Sequence, residues 1–198
     1  MSFTKQFLVE AESICRNLNT EQIDFAIETL KNLKLNGGRL FILGCGGSAG
    51  HASHAVNDFR KICGIEAYCP TDNVSELTAR INDEGWDTVF SEWLKISKFK
   101  QEDCLLIFSV GGGDEEKQVS VNLIKALKLA SDLEAQSICI VGKPNGYSAM
   151  NCTAPIVVPI ENANHTTPHA EAFAAVIWHL IVTHPELKVS QTKWESIS

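Results

Sequence analysis

Five short apolar runs, separated by helix-patterned stretches, constrain this chain more than any other feature. They fall at residues 39–44, 65–69, 104–109, 137–141 and 155–159. Each has ordinary strand length, and none alternates cleanly with polar residues. Strands covered on both faces of a parallel sheet have this character, whereas a half-exposed antiparallel strand alternates. Helical patterns fill the gaps at about residues 48–63, 75–82, 88–97, 120–133 and 169–183. Strand–helix alternation with short loops predicts an α/β chain, a three-layer αβα sandwich around a five-stranded parallel sheet.

Helices precede the sheet. Phe3, Phe7, Leu8, Ala11, Ile14, Cys15 and Leu18 recur at spacings of three and four. Thr20 is placed to cap a second helix carrying Ile23, Ile27, Leu30 and Leu33, which Asn36, Gly37 and Gly38 end. This segment is expected to pack beside the sheet or on another subunit. No repeat or Pro/Ser-rich linker interrupts the 198 residues, so one domain is expected. It divides into a helical lead (1–36), an αβα core (37–187) and a loosely held polar tail (188–198).

Composition removes several function classes. Apolar residues make up 44% and charged residues 21%, which excludes wholesale disorder. Seventeen basic against 24 acidic residues leave a charge of −7, which opposes nucleic-acid binding through phosphate neutralisation. No apolar stretch approaches the ~18–20 residues that cross a bilayer, and the amphipathic, acidic N-terminus is unlike a secretory signal. Seven scattered cysteines, odd in number and without a C-x-x-C pair, read as buried thiols in a reducing compartment. The expectation is a soluble, cytoplasmic protein with neither nucleic-acid nor membrane partners.

Chemistry is expected where the strands end, because open parallel sheets bind ligands beyond their carboxyl edge. The first run leads into Gly44, Cys45, Gly46, Gly47 and Ser48. Glycines admit an anion close to the backbone, and the helix that follows offers free N–H groups. The spacing matches neither the nucleotide loop G-x-x-x-x-G-K-[ST] nor the dinucleotide fingerprint G-x-G-x-x-G, so no nucleotide cofactor is expected. The third run leads into Ser109, Val110, Gly111, Gly112, Gly113 and Asp114, with Ser120 placed to cap the next helix. Two such loops suggest a pocket for a small phosphorylated ligand. The acidic segment 114–118 reads as a solvated turn, with a lid as the alternative.

Two further groups carry ligand or acid–base chemistry. His54 and Asp58 stand four apart and share a helix face, a spacing suited to a divalent metal or to paired proton transfer. His165, His169, Glu171 and His179 crowd one C-terminal helix. Glu171 and His179 are rotated by only about 80° but separated by about 12 Å of rise. One metal reaches both only through extended side chains and a bent helix, or by drawing one from another subunit.

Together these features resemble the sugar isomerase (SIS) domain, and within it the phosphoheptose isomerases, over most of the chain. The family's G-N-G-G-S loop and H-x-x-x-E helix appear as Gly44–Ser48 and His54/Asp58. Its Asn-Asp pair is matched by Asn82 and Asp83, and its serine-rich phosphate loop by Ser109 onward, with Ser120 as the last serine. Its late Gln and His are matched by Glu171 and His179. The resemblance implies a flavodoxin-like fold and isomerisation of sedoheptulose 7-phosphate to a mannoheptose 7-phosphate through an enediol. Asp58 would be the base and His179 the acid. Zinc would be held by His54, Asp58, Glu171 and His179, one ion per subunit. Ser109, Ser120 and the N–H groups of Gly111, Gly112 and Gly113 would hold the phosphate. Gly46, Gly47, Ser48, Asn82, Asp83 and Glu171 would surround the sugar. A homotetramer with sites between subunits, serving surface-polysaccharide heptose, is also implied. The alternatives are a non-catalytic SIS module that binds a sugar phosphate or a protein partner, and an isomerase of another sugar phosphate.

Overall fold

A computed structural model describes residues 1–197. Two helices, α1 (Phe3–Asn17) and α2 (Thr20–Leu35), lead into strand β1 (Leu40–Leu43) and helix α3 (Gly47–Lys61). There follow β2 (Ala67–Tyr68), α4 (Val74–Glu84), α5 (Val89–Ile96), β3 (Cys104–Ser109), α6 (Val121–Asp132) and β4 (Gln136–Val141). The chain then forms α7 (Tyr147–Asn151), β5 (Ala154–Val157), α8 (Thr166–Thr183) and the short α9 (Lys193–Ser196). The five strands form one parallel sheet in the order β2-β1-β3-β4-β5.

Both sheet faces are buried, as the unbroken apolar runs require. Leu40, Ile42, Leu106, Phe108, Ile138 and Ile140 point into one core, which is completed by α1, α2, α3 and α8. Their alternate neighbours Phe41, Leu43, Leu105, Ile107, Cys139 and Val141 point into the other, against α5 and α6. The lead helices close the β5 side: the Val157 N–H donates to Gln22 Oε1 at 3.1 Å, supplying a partner to a backbone group of the edge strand. At the far ends of β1 and β3, buried Asp103 accepts the backbone N–H groups of Arg39 and Lys100 and pairs with the Arg39 guanidinium at 2.7 Å. That network pins the two strands between which the ligand edge opens.

Several local expectations are corrected. Asn19, not Thr20, caps α2, because its side chain accepts the Gln22 N–H. Ser120 precedes α6 in a left-handed conformation (φ 52°), and among the described residues its side chain makes no capping bond. Helix α7 is too short to show a periodicity and was not expected. The tail is held at its start, where the N–H groups of Val189 and Ser190 both donate to Ile62 O. Cys15 is exposed, and Cys45 and Cys152 are partly so, so the buried-thiol reading holds for four of the seven cysteines. Among the described residues no helix is long and apolar enough to cross a membrane.

Candidate active site

The strand order reverses between β1 and β3, and the loops leaving those strands diverge there to open a crevice at the carboxyl edge. The first loop turns at Gly46, whose φ of +59° suits glycine, and enters α3 directly. The second turns at Gly112 and Gly113 (φ +75° and +87°), and the Gly112 N–H donates to Ser109 Oγ at 3.0 Å. A third loop, 142–146 after β4, is fastened to the second. Gly142 N–H donates to Val110 O, Tyr147 N–H to Gly113 O, and both the N–H and the hydroxyl of Ser148 to Gly112 O, all at 2.8–2.9 Å.

These loops enclose a cavity of about 430 Å³. Of the residues singled out in the sequence, Ser48, Ser109, Gly111, Gly113, Ser120 and Glu171 are among its walls, whereas Gly46, Gly47 and Gly112 are not. Lys117 and Lys143 also line it. Lys117 is paired with Asp114 at 2.8 Å, whereas Lys143 has no ion pair among the described residues. Sequence reasoning missed Lys143. Its signal was a Gly-Lys-Pro-Asn-Gly segment at a third strand end, the same edge that made the other loops candidates. Cys45 lies beside buried Asn122, whose amide nitrogen is 3.4 Å from the thiol, and burial pushes that thiol up from its ordinary pKa.

A second arrangement lies where α3 crosses α8. The ligand atoms of His54, Asp58 and His179 fall within 4.8 Å of one another. Asp58 Oδ2 is 3.8 Å from His54 Nε2 and 3.9 Å from His179 Nε2, too far for hydrogen bonds and suited to donors arranged around a shared ion. His179 Nδ1 is bonded to Ala175 O at 2.7 Å, which places the proton on Nδ1 and turns the Nε2 lone pair toward the cluster. Trp178 stacks on His179 at 3.5 Å and meets the His54 ring edge-on at 4.8 Å, fixing both imidazoles. This donor set fits a divalent metal such as zinc.

The four-ligand set implied by the resemblance is divided here. α8 stays one regular helix from Thr166 to Thr183, so Glu171 lies two turns from His179 and faces the cavity instead. A Cβ on Gly47 would stand 2.6 Å from Glu171 Oε1, so this carboxylate rests on the first turn of α3. Asn82 and Asp83 are not among the cavity walls. Both are exposed near the end of α4, with the Asn82 amide donating to Asp83 at 2.7 Å.

His165 and His169 belong to a separate cluster with Glu10 of α1. Their ring nitrogens lie 2.7 and 2.9 Å from Glu10 Oε2, while Asn162 donates to Oε1 at 2.8 Å. Here the donors are already drawn to hydrogen-bond distance, and protons bridge them. Phe7 stacks on His169 at 4.2 Å, so the clamp ties α1 to the start of α8. Hydrogen bonds from His165, Asn162 and His169 hold the Glu10 carboxyl down at about 2, against an ordinary 4.5. A depressed carboxyl adds stability above its unfolded pKa and loses it as pH falls through the folded one. Glu10→Gln should therefore lower the urea midpoint at pH 7. The gap from wild type should narrow between pH 4.5 and about 2. An equal gap at pH 6 and pH 2.5 would refute the clamp's charge dependence.

The fold and cavity define a doubly wound α/β protein whose switch-point loops bring glycine turns, hydroxyls and two lysines to one crevice. The chain belongs to the SIS domain family, whose model matches residues 6–142. It is 31% identical to a phosphoheptose isomerase of Aliarcobacter butzleri over 188 residues, covering 89% of this chain and 92% of that protein. It is 28% identical to the lincomycin biosynthesis protein LmbN of Streptomyces lincolnensis, covering 93% of this chain and 69% of that one. A solved phosphoheptose isomerase from Neisseria gonorrhoeae superposes with a TM-score of 0.77 at 23% identity, over 90% of this chain and 95% of that chain, and so shares the fold.

Proposed function

We propose that the protein is an aldose–ketose isomerase that converts sedoheptulose 7-phosphate to D-glycero-D-manno-heptose 7-phosphate through an enediol. The observation that carries this reading is the switch-point cavity, where hydroxyls, glycine N–H groups and a lysine with no ion pair among the described residues meet. The likeness to proteins named phosphoheptose isomerase supports the choice of substrate. Ser109, Ser120 and the N–H groups of Gly111 and Gly113 bind the phosphate, with Lys143 adding charge, while the Gly112 N–H is taken up by Ser109 Oγ. Gly46, Gly47 and Ser48 bound the sugar on the α3 side. His54, Asp58 and His179 hold one zinc ion, which polarises the substrate's oxygens when bound. Exposed Asn82 and Asp83 complete the site of a neighbouring subunit in a homotetramer. The enzyme works in the cytoplasm and supplies heptose for surface polysaccharide.

Proton NMR in D₂O tests this. Sedoheptulose 7-phosphate incubated with the protein should gain deuterium next to the carbonyl and yield an aldose phosphate, and chelation should stop both. Tight binding without exchange would overturn the enzyme reading for this substrate in favour of a sugar-phosphate-binding module.

A further inference from the structure

We propose that Cys139 and Cys152 form a redox-sensitive dithiol, which a peroxide-class oxidant closes to a disulfide that locks the β4 loop beside the ligand cavity. The two sulfurs stand 3.0 Å apart, against a bond length of about 2.05 Å. Cys139 lies on β4 and Cys152 just past the end of α7, and both belong to the core layer that packs α5 and α6 on the sheet. Hydrogen bonds fix the two segments beside them. The Ser137 N–H donates to Thr153 Oγ1 at 3.3 Å, and the Thr153 N–H donates to Ser137 Oγ at 3.0 Å. The Cys152 N–H is held on Ser148 O at 3.0 Å. Within that frame the sulfurs close the remaining distance of about 1 Å by side-chain adjustment.

The pair divides the two roles that this chemistry needs. Cys139 is fully buried, whereas Cys152 is partly exposed. Their contact holds the Cys152 thiol below its ordinary pKa of 9.0 and, together with burial, pushes the Cys139 thiol well above it. An accessible thiolate beside a resolving thiol is the arrangement that redox-sensing cysteines share. The bond would close a ring of chain that contains the 142–146 loop with Lys143, and α7. Tyr147 and Ser148 of α7 are the residues bonded to Gly113 and Gly112 in the cavity's second loop. The redox state of the two sulfurs is therefore carried to the ligand wall through backbone already fastened to it.

In the first step the Cys152 thiolate attacks one peroxide oxygen. The O–O bond breaks, the leaving hydroxide takes a proton to become water, and Cys152 becomes a sulfenic acid. The Cys139 sulfur then attacks the Cys152 sulfur. The S–S bond forms as the S–O bond breaks, and the departing hydroxide takes the Cys139 proton to leave as a second water. Overall two thiols lose two electrons and two protons, and one peroxide is reduced to two waters. A dithiol reductant reverses the bond by thiol–disulfide exchange.

Mass spectrometry of the full chain treated with hydrogen peroxide tests this. Cleavage after Tyr147 separates the two cysteines in sequence, so their peptides should stay joined, lighter by two hydrogens, until dithiothreitol is added. Amide hydrogen exchange across residues 142–148 should slow by about tenfold or more in the oxidised protein, because the cross-link restrains local opening. Cys152→Ser should lose both the joined peptides and the slowing. In Cys139→Ala, Cys152 should remain a sulfenic acid that dimedone labels. Two free thiols recovered from folded, peroxide-treated protein would overturn the proposal, as would a bond from either cysteine to a different one. Sulfinic acid at Cys152 beside an untouched Cys139 would overturn it too, by showing that Cys139 does not resolve the first product. Joined peptides with unaltered exchange would refute the lock.

Discussion

Asp58→Asn is expected to abolish most turnover by emptying the metal cluster while leaving the fold intact. Asparagine fills nearly the same volume, but it removes the only negative charge among the three converging donors. Among the described residues Asp58 approaches charged partners only at 3.8–3.9 Å, where it faces His54 and His179, and caps no helix, so the folded state loses little with it. A metal that polarises substrate oxygens contributes several kcal/mol to the transition state, and each ~1.4 kcal/mol is tenfold in rate. A fall of about a thousandfold in kcat should therefore accompany a drop in bound zinc from one per chain toward none. Elemental analysis of the purified variant, beside its turnover, checks both halves. A zinc-free variant that retains wild-type turnover would remove the metal from the reaction. Dialysis of the wild type against a chelator should reproduce the loss, and added zinc should reverse it.

Gly146→Ala is expected to loosen the ligand cavity from behind. Gly146 has φ −72° and ψ 153°, which alanine adopts without strain, so the backbone is not the obstacle. The added Cβ would stand 2.0 Å from Gly111 O and 3.2 Å from Gly112 Cα. Both are backbone atoms, and no side chain can swing aside to relieve the clash. Either the loop holding Lys143 or the glycine loop of β3 must move, breaking bonds such as Ser148 N–H to Gly112 O. Overpacking of this kind costs about 1–3 kcal/mol, visible as a lower urea midpoint. The same shift misplaces phosphate donors, so KM for the sugar phosphate should rise about tenfold or more, with zinc content unchanged. Unaltered KM in a folded Gly146→Ala protein would show that these two loops do not act together on the ligand.

The αβα sandwich was legible in the sequence because burial on both sheet faces leaves a local mark. Runs such as Leu105, Leu106 and Ile107 must be apolar at consecutive positions, since neighbours point into opposite cores. The glycine loops were legible for a similarly local reason: Gly46, Gly112 and Gly113 occupy conformations that other residues avoid. His54 and Asp58 are one helical turn apart, so their shared face also follows from spacing alone.

What spacing could not supply is the meeting of distant elements. His179 reaches the His54–Asp58 pair only because α3 and α8 pack on the same side of the sheet. Glu171, on the same helix, is carried past that pair to the cavity by two turns of unbroken rise. Lys143 enters because the β4 loop is hydrogen-bonded onto the β3 loop, a consequence of strand order rather than of its own neighbours. His165 and His169, which looked like part of the same chemistry, are claimed by Glu10 from the opposite end of the chain. The sequence by itself thus determined the layers, the ligand edge and the ligand-type residues, because those obey periodicity. Only the tertiary structure decided which carboxylate stands with the imidazoles and which faces the cavity, because that depends on how helices far apart in the chain are stacked.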